Sequence, residues 1–218
     1  MIQTYDTLDA LPKSLRIYGA SDYATMAQRA GKKEPDYSEH GVWGIDKVGD
    51  LWAIDWWSGQ VETDKSIAAF IRLVGIWKPV RWANEGGLID KAIGPAIRSA
   101  MRHAQKFVAI EELPSLQDKA IKLQAFHARA TAGTIHLPVK RQWSDGHNGL
   151  IEQLVKFPGG RWDDKADVAG LIGRLVDQMY DARLPSESAT KPLLVPFTEK
   201  WIEYNDRNEK KAESEVLV

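Results

Sequence analysis

The chain has 218 residues, 44% of them hydrophobic, a formal net charge of −1 and no cysteine. That length supports one sizeable core, and the missing thiols exclude disulfides, zinc–thiolate sites and cysteine nucleophiles, which fits a reducing compartment. The near-zero charge excludes a global basic field, so any nucleic acid must be met by local basic patches; no apolar run reaches the length of a membrane span, and no signal peptide is expected. The nine tryptophans are expected mainly in the core or on half-buried strands.

In chain order, Met1 to Ser14 has weak periodicity and reads as a lead-in segment. Leu15 to Ala20 reads as a strand with Ser21, Asp22 and Tyr23 at its end, and Gln28 to Asp36 as a solvated loop. Gly41 to Ile45 and Leu51 to Trp57 read as a hairpin turning through Lys47 to Asp50. The pattern then alternates. Asp64 is expected to cap a helix over Ile67 to Trp77, ended by Pro79. Val80 to Asn84 reads as a strand ending at Glu85, Gly86 and Gly87. Leu88 to Gln105 reads as a helix with a kink or break at Pro95. Phe107 to Ile110 is a strand, Leu116 to Ala130 a helix stopped by Gly133, and Thr134 to Leu137 a short extended piece. Leu150 to Lys156 is helical, and a last helix runs to about Arg183. Residues 184–218 read as an extension whose charged end, from Asn205, is disordered. Hairpin first and crossovers second imply an α/β chain with a mixed sheet, an antiparallel hairpin plus parallel strands, and helices on both faces.

The segment from Phe157 to Asp167 breaks at Pro158, Gly159 and Gly160, then places Asp163, Asp164 and Asp167 at the start of an apolar helix. Acids in a first turn oppose the helix dipole, but three of them at i, i+3 and i+4 spacings can lean to one side. Crowded carboxylates repel unless a cation sits among them. Asp22 and Glu85 end strands that, as parallel neighbours, lie about 4.8 Å apart. Open sheets place sites beyond such strand ends. Oxygen-only donors suit magnesium or manganese, and two such ions about 3.5–4 Å apart can clamp the attacking and leaving oxygens of a phosphodiester. Blander readings stay open: Asp22 as a turn former, Glu85 as a loop acid, the aspartate group as a helix cap. The coincidence of all of them at element boundaries favours one shared site.

Together these pieces resemble the nuclease domain of the large terminase subunit of tailed bacteriophages, a ribonuclease H-like fold. The matching motifs are Tyr18 to Ala24, Asn84 to Gly87, Leu116 to Lys119 with Gly133 to Pro138, and Phe157 to Asp167. The resemblance covers about residues 15–183. It implies a metal-dependent endonuclease that cuts double-stranded viral DNA during genome packaging in the host cell cytoplasm. Asp22 matches the bridging ligand and Glu85 the second acid. Asp164 is the first choice for the third, with Asp167 next and Asp163 a further option. Trp162 stands where the family often has His, and Lys122 where it often has Arg, which keeps the charge but loses bidentate phosphate binding. Implied partners are an ATPase motor domain, the small terminase subunit and the capsid portal, with no membrane. The chain lacks the Gly-x-x-x-x-Gly-Lys-Ser/Thr phosphate loop, so it is expected to be the nuclease part alone and not to hydrolyse ATP.

Lys119, Lys122, Arg129, Lys140, Arg141 and Arg161 are expected to flank the crevice and hold DNA phosphates without reading bases. His136 and His147 are candidate ligands or proton carriers, and Trp56, Trp57 and Trp143 candidate base-stacking rings, against the alternative of ordinary packing. Two rival functions remain: a resolvase- or transposase-like nuclease of the same fold, and a non-catalytic module that binds DNA or a motor.

Overall fold

A tight turn sets the middle of the structure. Asp46 Oδ1 accepts the backbone N–H groups of Val48, Gly49 and Asp50 at 2.9–3.0 Å, and Gly49 adopts φ 96°, a region glycine enters without steric cost. The computed structural model describes residues 2–24, 37–139 and 149–180. Its strands are β1 (Gln3–Tyr5), β2 (Arg16–Asp22), β3 (Ser38–Ile45), β4 (Leu51–Gly59), β5 (Arg81–Glu85), β6 (Ala109–Leu113) and β7 (Ile135–Pro138). Its helices are α1 (Thr63–Trp77), α2 (Leu88–Ala104), α3 (Lys119–Ala132), α4 (Leu150–Lys156) and α5 (Asp164–Tyr180), with a 3-10 turn at Leu8–Ala10.

The strands form one mixed sheet in the order β1-β7-β4-β3-β2-β5-β6. β3 runs antiparallel to β2 and β4, while β5, β6, β7 and β1 join in parallel pairs. This is the expected mixed sheet. The first residues add something the sequence pattern does not reveal: β1 pairs with β7 at the sheet edge, and the Tyr5 hydroxyl donates to the Ala53 carbonyl.

Two cores lie on the two faces. One joins Tyr18, Trp43, Ala53 and Trp56 to α3, α4 and α5 through Leu123, Phe126, Leu150, Val168 and Ile172. The other joins Val42, Ile54 and Trp82 to α1 and α2 through Ile67, Phe70, Ile97 and Met101. Ala53 and Trp56, an odd number of positions apart, share a core because the β3–β4 ladder shifts register between Val42 and Trp43. The bulge adds a residue to β4 and restores Trp56 to the α5 side. Helix α5 then approaches α3 very closely. A Cβ at Gly170 would stand 2.7 Å from the Lys122 carbonyl oxygen, and one at Gly173 2.6 Å from the Phe126 nitrogen, so only glycine permits this spacing.

Several boundaries differ from expectation for local reasons. Asp64 is not the cap of α1; Glu62 holds that position, and Asp64 sits inside the first turn, where its charge favours the dipole. Helix α1 closes through Lys78, at φ 49°, before Pro79 is reached. Helix α2 continues past Pro95 without a break. Helix α3 begins at Lys119 rather than Leu116, because the Asp118 side chain caps it by accepting from Ala120 N and Ile121 N. The loop from Gln28 to Asp36 and the extension 184–218 lie outside the described residues. Among the described residues no helix is long and apolar enough to cross a membrane.

Candidate active site

Strands β2 and β5 are parallel neighbours whose ladder runs to Ser21 opposite Asn84, so the next residues, Asp22 and Glu85, end side by side. Side chains alternate along a strand. Trp82 belongs to the α1–α2 core and Ala83 to the other, which places Glu85, and Asp22 beside it, on the face covered by α3 and α5. Helix α5 begins there. The Asp163 carbonyl accepts the Asp167 N–H at 2.9 Å, and Asp164 is 8% exposed.

The electrostatics bind these residues into one cluster. The Asp22 carboxyl is pushed well above its ordinary range, first by burial, then by the charges of Asp167, Asp164 and Glu85, with Lys122 opposing. Asp167 is raised by burial and by Glu85, against Lys122 and Lys119, and its buried Oδ1 has no hydrogen-bond partner. Burial also pushes Glu85 upward. Lys122, the Ser115 hydroxyl and the Leu116 N–H outweigh it and hold that carboxyl below its usual value. The Lys122 ammonium bonds Glu85 at 2.9 Å and is raised, despite its own burial, by Glu85, Asp167 and Asp22.

Asp22, Glu85, Asp164 and Asp167 lie within electrostatic reach of one another at the ends of β2 and β5 and in the first turn of α5. Asp163 turns elsewhere, to an ion pair with Lys119. Among the described residues no three His, Asp or Glu side chains already converge in a ligating arrangement. The donor set still suits a hard divalent cation, because it is all oxygen and includes the unpartnered buried Oδ1 of Asp167.

The basic residues divide. Lys119 and Lys122 lie at the acids. Arg129 does not; ten residues further along α3, about 15 Å away, it donates to the Gly49 carbonyl and pairs with Asp177. Arg161 stacks over Trp162, 5.3 Å from the ring centroid, and Trp162 meets Tyr37 edge-on. Lys140, Arg141, Trp143 and His147 lie outside the described residues. His136 bonds Asp50 at 2.8 Å and stacks on Trp52. Asp50 precedes β4, at the opposite end of that strand from the acids. Trp56 and Trp57 are packing residues: Trp56 is in the core, and Trp57 stacks on the buried His40.

Sequence reasoning passed over Ser115, Arg174, Glu39 and Lys165. Ser115 orients Glu85. Arg174, lowered by burial but raised by Glu85, ties α5 to the Pro114 carbonyl at 2.7 Å. Lys165 carried a readable signal. With Val168, Ala169, Ile172 and Val176 it lies on the apolar stripe of α5, each at 0% exposure, and a charge on such a stripe requires a buried partner. The partner is Glu39, 3.0 Å away.

No protein-family model matches the chain, and no curated protein matches it in sequence. Solved structures do match. The magnesium-bound large terminase nuclease from thermophilic phage G20c superposes with a TM-score of 0.53 at 13% identity, over 80% of this chain and 92% of that one. Its zinc-bound form gives 0.52 at 12% identity, over 78% and 91%; its cobalt-bound form gives 0.53 at 12% identity, over 80% and 92%. The chain thus resembles a large terminase nuclease domain in structure, and its fold is ribonuclease H-like.

Proposed function

We propose that the chain is a divalent-metal-dependent endonuclease that hydrolyses phosphodiester bonds of double-stranded viral DNA during genome packaging: the nuclease part of a large terminase subunit, without its ATPase motor. The observation that carries this reading is Asp22, half-buried and crowded by the charges of Asp167, Asp164 and Glu85, in a fold shared with a phage nuclease that has structures with bound magnesium, zinc and cobalt.

Asp22, Glu85, Asp164 and Asp167 would supply the oxygen donors that hold the metal, with Asp22 common to the set, and Asp163 would act at a remove through its ion pair with Lys119. Magnesium or manganese, two ions with DNA bound, would supply charge to polarise the phosphate and acidify the attacking water. Lys122 keeps Glu85 ionised and oriented. Lys119 and Arg161, with Lys140 and Arg141, are the candidates for backbone phosphates; Arg129 is withdrawn from that set by its contacts with Gly49 and Asp177. An ATPase domain, a small terminase subunit and a portal are the partners this reading implies, in the host cytoplasm.

The test is plasmid cleavage in manganese. The wild-type chain should nick and linearise supercoiled DNA, while Asp22→Asn should lose all cleavage and keep a cooperative melt. Retained cleavage by that variant refutes the site. A four-way junction should be cut no faster than linear duplex of the same sequence; strong preference for the junction would move the reading to a resolvase.

A further inference from the structure

Beneath the acidic cluster lies a second, fully buried charged group that the proposed reaction does not use. Glu39 and Lys165 are each at 0% exposure. Lys165 Nζ stands 3.0 Å from Glu39 Oε1 and donates to Ser58 Oγ at 2.9 Å. Glu39 Oε2 accepts from Trp56 Nε1 at 2.5 Å and from Ser58 Oγ at 2.6 Å. The Lys165 backbone N–H donates to Gln153 Oε1 at 2.8 Å. One ion pair thus joins β3, β4 and α5, while the backbone of its lysine is tied to α4.

Its place relative to the acids is specific. Glu39 is directly opposite Asp22 in the β2–β3 ladder, and directly opposed residues share a face. Lys165 lies between Asp164 and Asp167 in the first turn of α5. The pair therefore connects the residue beside Asp22 to the residue between the two α5 acids. We propose that Glu39 and Lys165 are positioning residues, which fix the rotation and axial register of α5 so that Asp164 and Asp167 face Asp22. This rests on the reading of the acidic cluster as the metal centre.

The apolar contacts of α5 do not set that register alone. Val168, Ala169, Leu171, Ile172, Leu175 and Val176 are buried there, but apolar contact is non-directional and does not select one rotation. Mutual repulsion of the carboxylates would push it away from Asp22. An ion pair with directed hydrogen bonds has one geometry. Buried pairs are a weak source of net stability, and their best attested use is to specify register.

The test uses the 218-residue chain with Glu39→Gln combined with Lys165→Met, which removes both charges together and strands neither. Manganese binding by calorimetry, the manganese dependence of plasmid cleavage and amide hydrogen exchange of the metal-free chain are measured beside wild type. The double variant should melt cooperatively, need about 10–100-fold more manganese for half-saturation, the range for residues that orient ligands, and keep its KM for DNA. The Asp167 amide, bonded to the Asp163 carbonyl, should lose protection before the rest of α5. Unchanged manganese half-saturation with unchanged Asp167 protection overturns the proposal. If the double variant fails to fold, Ser58→Ala decides in the same way: it removes the hydroxyl that bridges the two ions, and wild-type values in both measurements overturn the proposal. A wild-type chain that neither binds manganese nor cuts DNA would instead remove the metal-centre reading, and the exchange comparison would still decide whether the pair holds α5.

Discussion

Acidification should destabilise this protein through one histidine, His40. The ring is at 0% exposure, stacked on Trp57 with centroids 5.0 Å apart. Nε2 lies 3.0 Å from the Ser66 carbonyl oxygen, which can only accept, and Nδ1 lies 2.8 Å from Ser21 Oγ. Ser21 Oγ in turn receives Trp82 Nε1–H at 2.7 Å. One assignment satisfies every group: Nε2 carries the proton and Nδ1 accepts from Ser21. A second proton on Nδ1 would break that chain. Burial accordingly lowers the pKa from 6.5 to about 4, against the opposing pull of the Ser66 carbonyl and the Glu39 charge. For a base with a depressed folded pKa, the unfolded chain binds the proton more readily. Stability is therefore intact above 6.5, falls with pH through the window from 6.5 to about 4, and levels off below. The full effect is about 3 kcal/mol, and about 2 kcal/mol is lost between pH 7 and pH 5. Asp22 and Asp167, whose folded pKa values are raised, act in the opposite sense, so the histidine must be isolated by difference. Urea unfolding of wild type and His40→Gln at pH 7, 6 and 5 does this. The variant is less stable at pH 7 by an amount that does not titrate, and the gap should narrow by about 2 kcal/mol at pH 5. A gap that stays constant would show that His40 is not held neutral, and the hydrogen-bond assignment above would fall.

The acidic cluster yields further expectations. Asp22→Asn should raise the metal-free stability at pH 7 by roughly 0.5–2 kcal/mol, because it removes a charge that burial and three carboxylates oppose; a fall in the urea midpoint contradicts that repulsion. Manganese at about a hundred times its Kd should stabilise wild type by about 2.7 kcal/mol, read as a rise in Tm that is lost in Asp22→Asn combined with Asp167→Asn. Gly170→Ala should cost about 1–3 kcal/mol, since its Cβ would meet the Lys122 backbone at 2.7 Å, and it should also raise the manganese requirement by moving α3 with Lys122; a neutral melt would mean that the two helices can separate freely.

The parts of the site legible in the sequence are those marked by changes of local pattern. β2 and β5 end at Asp22 and Glu85 where strand residues give way to polar or glycine residues, and α5 starts after Pro158, Gly159 and Gly160. Register then follows from topology, because a parallel crossover beside a hairpin leaves β2 and β5 as neighbours. What the sequence hides depends on distant partners. Ser38, Glu39 and His40 precede the strand expected at Gly41 to Ile45, yet they belong to β3 and all are buried; their partners are the Ala24 N–H, Ser58, Ser66 and a lysine 126 residues away. β1 is only three residues long and exists by pairing with β7. Arg129 shares a helix with Lys119 and Lys122, but helical rise carries it to the far end of the sheet. Asp163, Asp164 and Asp167 satisfy the same spacing rule; only packing against Lys119 separates the first from the others.

The arrangement also explains why the acids do not simply move apart. Alternation along β2 and β3 gives each strand two roles at adjacent positions. Ser21 and His40 face one side, where Trp57, Phe70 and Trp82 surround the imidazole. Asp22 and Glu39 face the other, one in the acidic cluster and one bonded to α5. For Asp22 to retreat from Asp167, β2 would have to shift, and that would disturb the hydrogen bonds of Ser21 and the aromatic packing behind it. For Asp167 to retreat, α5 would have to turn, against the Glu39–Lys165 pair and the close glycine contact with α3. Interiors packed at this density resist such displacements. On the proposed reading, the repulsion that remains in the metal-free chain would be recovered as binding free energy when a divalent cation enters the cluster. The same rigidity that lowers the stability of the metal-free chain is what would make its affinity for the ion depend on residues that never touch it.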